Sequence, residues 1–224
     1  MAQSLSAQDS VQKDETKFKE DFLKEIEPIK LYDPLASTLG VIEENGEIYY
    51  HYYEVVKFAG HSCPAVSGAY MLTKIALKEL YGEETPMRGN IKVKLKGEVE
   101  LNVNGPISQV ISFITGAAPE TGFKGLGGKY SRYQLLSFDE NALPDKGVTA
   151  DVEFERLDNG KKVSIAYRPS LIPKDPTMGE LMQKVLSGRA NVEEKERFGN
   201  LWQKGVKIIL TSAPQGTFVI TNYD

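Results

Sequence analysis

The chain has 224 residues, of which 41% are hydrophobic and 26% charged, and its formal net charge is −4. This length and composition are typical of a globular protein with one sizeable core, and the negative charge argues against nucleic acid as a partner. The single cysteine excludes both an intrachain disulfide and a zinc ribbon of four cysteines.

The N-terminal segment carries no visible targeting signal. The first ten residues lack the basic and apolar parts of a secretory signal, and no apolar run approaches the ~20 residues that span a bilayer. We therefore expect a cytoplasmic protein without membrane partners. Residues 1–13 are polar, which is typical of a disordered segment, and residues 14–224 are expected to form a single domain.

The N-terminal half is predicted to contain three helices and a hairpin. Apolar residues recur at helical spacing over residues 15–26, which predicts an amphipathic helix. An Asn-Gly turn favours a hairpin with strands over 38–42 and 47–50. A short helix is expected over 52–59. The next helix, about 63–81, is apolar on most of its circumference, so we expect it at the centre of the fold.

The second half is predicted to contain further strands, a hairpin and several helices. Strict alternation from Ile91 to Val103 predicts a long strand with one solvated face, bent at Gly97. Further elements are predicted to be a helix, a strand and the two arms of a hairpin, over 107–115, 130–138, 148–154 and 163–167. Helices are expected within about 176–212, followed by an edge strand over 217–221. The expected class is α+β: a mixed or antiparallel sheet packed on the central apolar helix, with helical N- and C-terminal extensions.

The segment Phe58-Ala59-Gly60-His61-Ser62-Cys63-Pro64 concentrates the reactive residues. It holds the only cysteine and one of two histidines, directly before the predicted central helix. Thiolate and imidazole are the ligands that Zn²⁺ prefers and that Fe²⁺ accepts. We therefore predict a divalent metal site, zinc first and iron as the alternative, with His61 and Cys63 as ligands. His51 is a candidate third ligand, although it also fits a half-exposed hairpin position.

Three alternatives depend on the same pair of residues. Cys63 could be a catalytic nucleophile in a thiol-dependent enzyme, activated by His61 and by the helix N-terminus. The pair could instead bind haem or a similar cofactor, with Cys63 or His61 as the axial ligand. A purely structural role is the third alternative, in which the cysteine packs at a core helix and the histidine bonds to backbone.

A glycine-rich stretch from Gly116 to Gly128 is a second candidate site. Backbone N–H groups of such a loop can surround an anion, and basic side chains nearby can supply charge. The predicted ligand-binding residues for a small anionic molecule are Lys124, Gly127, Gly128 and Arg132, with Lys129 beside them. The spacing is neither a Walker A loop nor a Rossmann fingerprint, and the glycines equally fit a tight connection packed on the central helix.

The run Phe58-x-Gly60-His61-x-Cys63-Pro64, followed by a helix containing Gly68 and Tyr70, resembles the FmdE-like family of formylmethanofuran dehydrogenase components. The resemblance extends over about residues 39–138. It implies an α+β domain with a metal site, usually zinc, built around the His-x-Cys-Pro loop.

The chain departs from that family's pattern in three places. Ala59 stands where the family often has a second histidine, and Ala117 stands where it often has a cysteine. The C-terminal zinc ribbon of many members is absent, so the chain resembles a ribbon-less branch of the family. The resemblance does not by itself imply methanofuran chemistry.

The predicted metal site lacks enough ligands within one chain. Structural zinc sites take four ligands, and catalytic sites take three and a water. We therefore expect a homodimer, with the loop that carries His61 and Cys63 near a cleft or a boundary between the two chains. The predicted helix over 15–26 and the long alternating strand both offer surfaces for a two-fold contact.

Overall fold

The computed structural model describes residues 15–223, so the segment expected to be disordered, 1–13, lies outside the described residues. The α-helices are α1 Phe22–Glu25, α2 Pro34–Thr38, α3 Tyr52–Ala59, α4 Pro64–Tyr81, α5 Asn104–Thr115, α6 Met178–Leu186 and α7 Val192–Thr211. The strands are β1 Ile29–Tyr32, β2 Glu47–Tyr50, β3 Ile91–Lys96, β4 Leu136–Asp139, β5 Ala150–Arg156, β6 Lys162–Tyr167 and β7 Phe218–Tyr223. A 3₁₀ turn, Pro169–Leu171, follows β6.

The strands form two sheets. β1 and β2 make an antiparallel pair, and the larger sheet has five strands in the order β4-β3-β5-β6-β7. Within the larger sheet β3 and β4 run parallel, whereas the remaining neighbours are antiparallel. The predicted α+β class with a mixed sheet is confirmed.

Helix α4 lies at the centre of the fold, as its apolar circumference predicts. It packs against α3, α5 and α7 and against strands β5 and β6. Gly68 faces the ring of Tyr167 so closely that a Cβ atom there would lie 2.3 Å from Tyr167 Cε1. The small residue is therefore required for the helix and the sheet to approach each other.

The prediction of a strand over residues 38–42 is wrong. Helix α2 occupies the preceding residues, and β2 pairs with β1 instead of with a neighbouring hairpin arm. The cause is a local helix start: the Asp33 carboxylate accepts hydrogen bonds from the backbone N–H groups of Leu35 (3.0 Å) and Ala36 (3.2 Å). Pro34 stands at the first helical position, where its fixed φ is favourable.

Three other predicted elements are longer than the observed ones. β3 ends at Lys96 because Gly97 adopts a φ of 83°. Helix α5 differs in the opposite direction: it begins at Asn104, three residues earlier than predicted. The strand predicted over 130–138 is reduced to β4, since Tyr130 and Gln134 also have positive φ angles. The N-terminal helix predicted over 15–26 is reduced to α1, which no side chain caps.

The C-terminal helices are present where the sequence predicts them. Asn191 and Glu194 form the expected capping box of α7: Asn191 Oδ1 accepts from the Glu194 N–H at 2.8 Å, and Glu194 Oε2 accepts from the Asn191 N–H at 3.0 Å. Among the helices within residues 15–223, none has both the length and the apolar character needed to cross a membrane.

Candidate functional site

The candidate site is the tight connection between α3 and α4. Gly60 ends α3 with a φ of 75°, a conformation that glycine adopts without strain. Cys63 is the residue that precedes the first turn of α4, with extended backbone, and Pro64 is the first helical residue. The connection thus places His61 and Cys63 two positions apart in the chain, directly before an 18-residue helix.

The imidazole of His61 is exposed and held by one backbone contact. Its Nδ1 lies 2.9 Å from the carbonyl oxygen of Ala59. Since a carbonyl oxygen only accepts, Nδ1 carries the proton in this contact, and the neutral ring then has its free lone pair on Nε2. Metal-binding histidines commonly donate their second ring nitrogen to a backbone carbonyl in this way.

The thiol of Cys63 is half-buried and makes no capping hydrogen bond with its helix. Its surroundings contain two phenols, Tyr52 and Tyr167. Burial raises the pKa of both phenols, and a negative charge on Cys63 raises each further. Both tyrosines are therefore neutral O–H groups beside the thiol.

The same two phenols fix the residues on either side of Cys63. The Tyr52 hydroxyl hydrogen-bonds with Ser62 Oγ at 2.9 Å, and the Tyr167 hydroxyl donates to the carbonyl oxygen of Pro64 at 2.8 Å. The thiol is therefore attached to a backbone that is held in place by buried rings from α3 and β6.

Helix α7 contacts the loop from another side, a contact that sequence reasoning missed. Trp202 Nε1 donates to the Ser62 carbonyl oxygen at 3.0 Å, and Gln203 Nε2 donates to the same oxygen at 3.3 Å. The only available signal was the single tryptophan of the chain, because a buried indole N–H needs an acceptor.

In the described part of the chain, no third candidate ligand joins this pair. Within residues 15–223, no group of three or more His, Cys, Asp or Glu side chains is placed to hold a metal ion. His51 stands at the start of α3 and His61 just after its end, and an eight-residue helix is about 12 Å long. The His51 ring instead stacks on Tyr53, with 5.0 Å between ring centroids.

The glycine-rich stretch forms a tight turn at its end. Gly127 and Gly128 have φ angles of 58° and 76°, which is the combination that a type I′ turn requires. The flanking residues Leu126 and Lys129 exchange two backbone hydrogen bonds, of 2.8 and 3.0 Å. The turn accounts for the presence of glycine at both positions without a bound ligand. Lys124, earlier in the stretch, is exposed.

Arg132, a predicted ligand residue, lies in a buried ion cluster. Its Nη2 donates to both carboxylate oxygens of Asp33 at 2.7 Å, and Arg88 Nη1 donates to the same carboxylate at 3.1 Å. Arg88 also donates to the carbonyl oxygens of Phe113 and Ile114 at the end of α5. Asp33 and Arg88 were missed by sequence reasoning; the Asp-Pro pair that starts α2 was the available signal.

The electrostatics of this cluster favour the ionised carboxylate. Burial acts to raise the pKa of Asp33, but the N–H of Ala36 and the two arginines outweigh it and hold the pKa below its usual value. One carboxylate against two guanidinium groups leaves one positive charge. A cavity of about 300 Å³ lies beside the cluster; Lys129, Ser131 and Arg132 line it, whereas Lys124, Gly127 and Gly128 do not.

Comparison of the sequence with models of known protein families finds no match. Comparison with curated proteins finds no match either. The resemblance to the FmdE-like family, which depends on the His-x-Cys-Pro segment, stays a prediction.

Proposed function

We propose that the protein binds a divalent metal ion, zinc in the first place, through His61 Nε2 and Cys63 Sγ. The observation that carries the proposal is the contact between His61 Nδ1 and the Ala59 carbonyl oxygen. That contact leaves Nε2 as the acceptor nitrogen of an exposed imidazole, two positions from the only thiol of the chain. The His-x-Cys-Pro resemblance points to the same two ligands.

The position of Cys63 supports a thiolate ligand. The partial positive charge at a helix N-terminus stabilises anions, and the thiolate is the form of cysteine that binds metals. A thiol that must stay reduced fits a cytoplasmic protein, which is where we expect this one.

The remaining ligands are proposed to come from a second copy of the chain. Two protein ligands do not complete a zinc site, which takes four in its closed form. A two-fold axis beside the loop would supply His61 and Cys63 twice, giving two imidazoles and two thiolates. Dimers with this symmetry are the commonest assembly of soluble chains.

A small anion is proposed as an additional ligand in the cavity beside Arg132. The support is the uncompensated positive charge of the Asp33, Arg88 and Arg132 cluster, with Lys129 at the same cavity. The proposed anion-binding residues are therefore Arg88, Lys129 and Arg132, and do not include Lys124, Gly127 or Gly128.

Metal analysis of protein purified without added metal tests the main proposal. We expect about one zinc per two chains in the wild type, and at least tenfold weaker metal binding in Cys63→Ser and in His61→Gln. His51→Gln is the matched control, because it removes the other imidazole at the far end of α3. Cobalt-loaded wild type should show a thiolate-to-metal charge-transfer band that Cys63→Ser lacks.

Two results would contradict the metal proposal. One is a wild-type protein that takes up no stoichiometric metal, and the other is a Cys63→Ser variant that takes up as much as the wild type. An unchanged affinity in His61→Gln would show that the imidazole is not a ligand.

A thiol-dependent enzyme is the second candidate function, since Cys63 is a free, half-buried thiol at a helix N-terminus. It requires an activated thiol in metal-free protein. Alkylation of Cys63 that stays slow until the pH passes ~8.5, the value for an ordinary cysteine, would argue against it. Haem binding is distinguished by a visible absorption band in haem-treated wild type that Cys63→Ser lacks.

A further inference from the structure

A second, mostly apolar cavity lies between the Pro169–Leu171 turn, α6 and α7. Its volume is about 450 Å³, within the range of ~300–1,000 Å³ typical of small-molecule pockets. The apolar part of its lining consists chiefly of Ile172, Met178, Met182, Leu201, Trp202 and Ile208. The two methionines are flexible and polarisable, so they adapt to ligands of irregular shape.

Charged residues also line the cavity. Lys174, Asp175 and Lys204 belong to the lining. The Asp175 carboxylate accepts hydrogen bonds from the backbone N–H of Thr177 at 2.8 Å and from the Thr177 hydroxyl at 2.5 Å. These bonds hold the carboxylate within its own turn, and two lysines against one carboxylate leave a net positive charge at the cavity.

We propose that this cavity binds a small amphipathic carboxylate, such as a medium-chain fatty acid. The hydrocarbon part contacts the methionines and Trp202, and the carboxylate lies by Lys174 and Lys204. Apolar burial supplies most of the affinity, while the lysines select an anionic head group over a neutral or cationic one.

The cavity is structurally linked to the loop that carries Cys63. Pro64 is part of its lining, and Trp202 both lines it and donates its indole N–H to the Ser62 carbonyl oxygen. A ligand in this cavity would contact Pro64, which follows Cys63, and Trp202, whose indole N–H holds the Ser62 carbonyl oxygen before it. The inference does not depend on the metal proposal, because none of the proposed metal ligands lines the cavity.

The chain provides its own optical probe, because Trp202 is its only tryptophan. Tryptophan fluorescence of the full-length protein is titrated with decanoate, decanol and decyltrimethylammonium, each below its micelle concentration. We expect a saturable change with decanoate and at least tenfold weaker binding of the other two. No saturable response to decanoate, or an equal response to all three, would overturn the proposal.

A cavity-filling variant separates specific binding from adsorption at the surface. Gly205 in α7 lines the cavity, and a Cβ atom there meets nothing within 4 Å, so Gly205→Leu fills the space without a backbone clash. Gly199→Leu is the matched control: its Cβ is also free, it lies in the same helix, and it is outside the cavity lining. Both changes improve helix propensity, so both variants should unfold at or above the wild-type temperature.

We expect Gly205→Leu to bind decanoate at least tenfold more weakly, and Gly199→Leu to bind it as the wild type does. Lys204→Met should weaken decanoate binding and leave decanol binding unchanged. Equal binding by the two leucine variants would overturn the assignment of the cavity. A Gly205→Leu variant that loses dimerisation, in a protein insensitive to decanoate, would assign the cavity to a second copy and overturn it as well.

Discussion

At the scale of single residues, Asp33 links the start of α2 to two arginines elsewhere in the fold. Its carboxylate caps α2 through two backbone N–H groups and pairs with Arg88 and Arg132. The side chain is almost fully buried, and both arginines are largely so. Removing one member of such a cluster leaves buried charge without a partner, which costs more than the net contribution of the intact cluster.

Asp33→Asn is therefore expected to lower the free energy of unfolding by roughly 3 kcal/mol at pH 7. The pKa of Asp33 is lower in the folded chain than in the unfolded one, so its contribution is complete above the usual aspartate pKa of ~3.9. The contribution is lost as the pH falls through the lower, folded value. Urea unfolding of both proteins at pH 7 and pH 3 measures the difference in their free energies of unfolding. This difference should be smaller at pH 3.

Asp158→Asn is the control for this prediction. Asp158 also bonds to an arginine, Arg156, but its carboxylate is 44% exposed. Exposed ion pairs contribute ~1 kcal/mol or less, so this variant should stay close to the wild type. If the difference in unfolding free energy between Asp33→Asn and the wild type is the same at pH 7 and pH 3, the proposed role of the ionised Asp33 carboxylate is contradicted.

At the scale of elements, the contact between α4 and β6 depends on Gly68, which has no side chain. The ring of Tyr167 occupies the space that a Cβ on Gly68 would need. It stacks on Phe218 with 5.0 Å between ring centroids, and its hydroxyl reaches Pro64 at the start of α4. The contact therefore supports the first turn of the helix that carries Cys63.

Gly68→Ala should destabilise the protein although alanine is the better helix former. A gain of up to ~1 kcal/mol in helix propensity is opposed by a Cβ at 2.3 Å from a buried ring atom, and overpacking costs ~1–3 kcal/mol. Gly199→Ala on α7 is the control, with no neighbour to its Cβ within 4 Å, and it should stabilise. Urea unfolding midpoints give the comparison; a Gly68→Ala variant as stable as Gly199→Ala would rule out the close contact.

Elements with strong local signals could be predicted from the sequence. Helix α3, the β5–β6 hairpin and the capped start of α7 lie where the sequence predicts them, because turns, caps and periodicity act over a few residues. The pairing of β1 with β2 was missed, since the short β1 gives little local pattern. The end of β3 was misplaced because alternation continued beyond a glycine that adopts positive φ.

In the candidate site too, only the residues that are close in sequence could be predicted to lie close in space. His61 and Cys63 are neighbours in sequence, so their proximity required only one loop. The cluster of Asp33, Arg88 and Arg132 joins residues 55 and 99 positions apart, a distance over which sequence pattern carries no information about contact. The cavity between α6 and α7 depends likewise on how two helices and a turn pack together.

At the scale of the whole molecule, the proposed metal site and the assembly depend on each other. One chain offers two of the proposed ligands, His61 and Cys63, and within residues 15–223 no group of three or more His, Cys, Asp or Glu side chains is placed to hold a metal ion. A metal with ligands from both chains binds only the dimer, and any ligand that binds one state selectively stabilises that state. Metal affinity, dimerisation and thermal stability should therefore change together.

This coupling gives a prediction for the intact protein. Light scattering of wild type with one zinc per two chains should give the mass of a dimer, and a chelator should shift the mass toward that of the monomer. At a free zinc concentration 100 times the dissociation constant, binding stabilises the dimer by about 2.7 kcal/mol, so the unfolding temperature should rise with added zinc in the wild type. Cys63→Ser should be insensitive to zinc in both measurements, whereas His51→Gln should behave as the wild type does. A monomeric mass with zinc still bound would contradict the shared site, because every ligand would then have to come from a single chain.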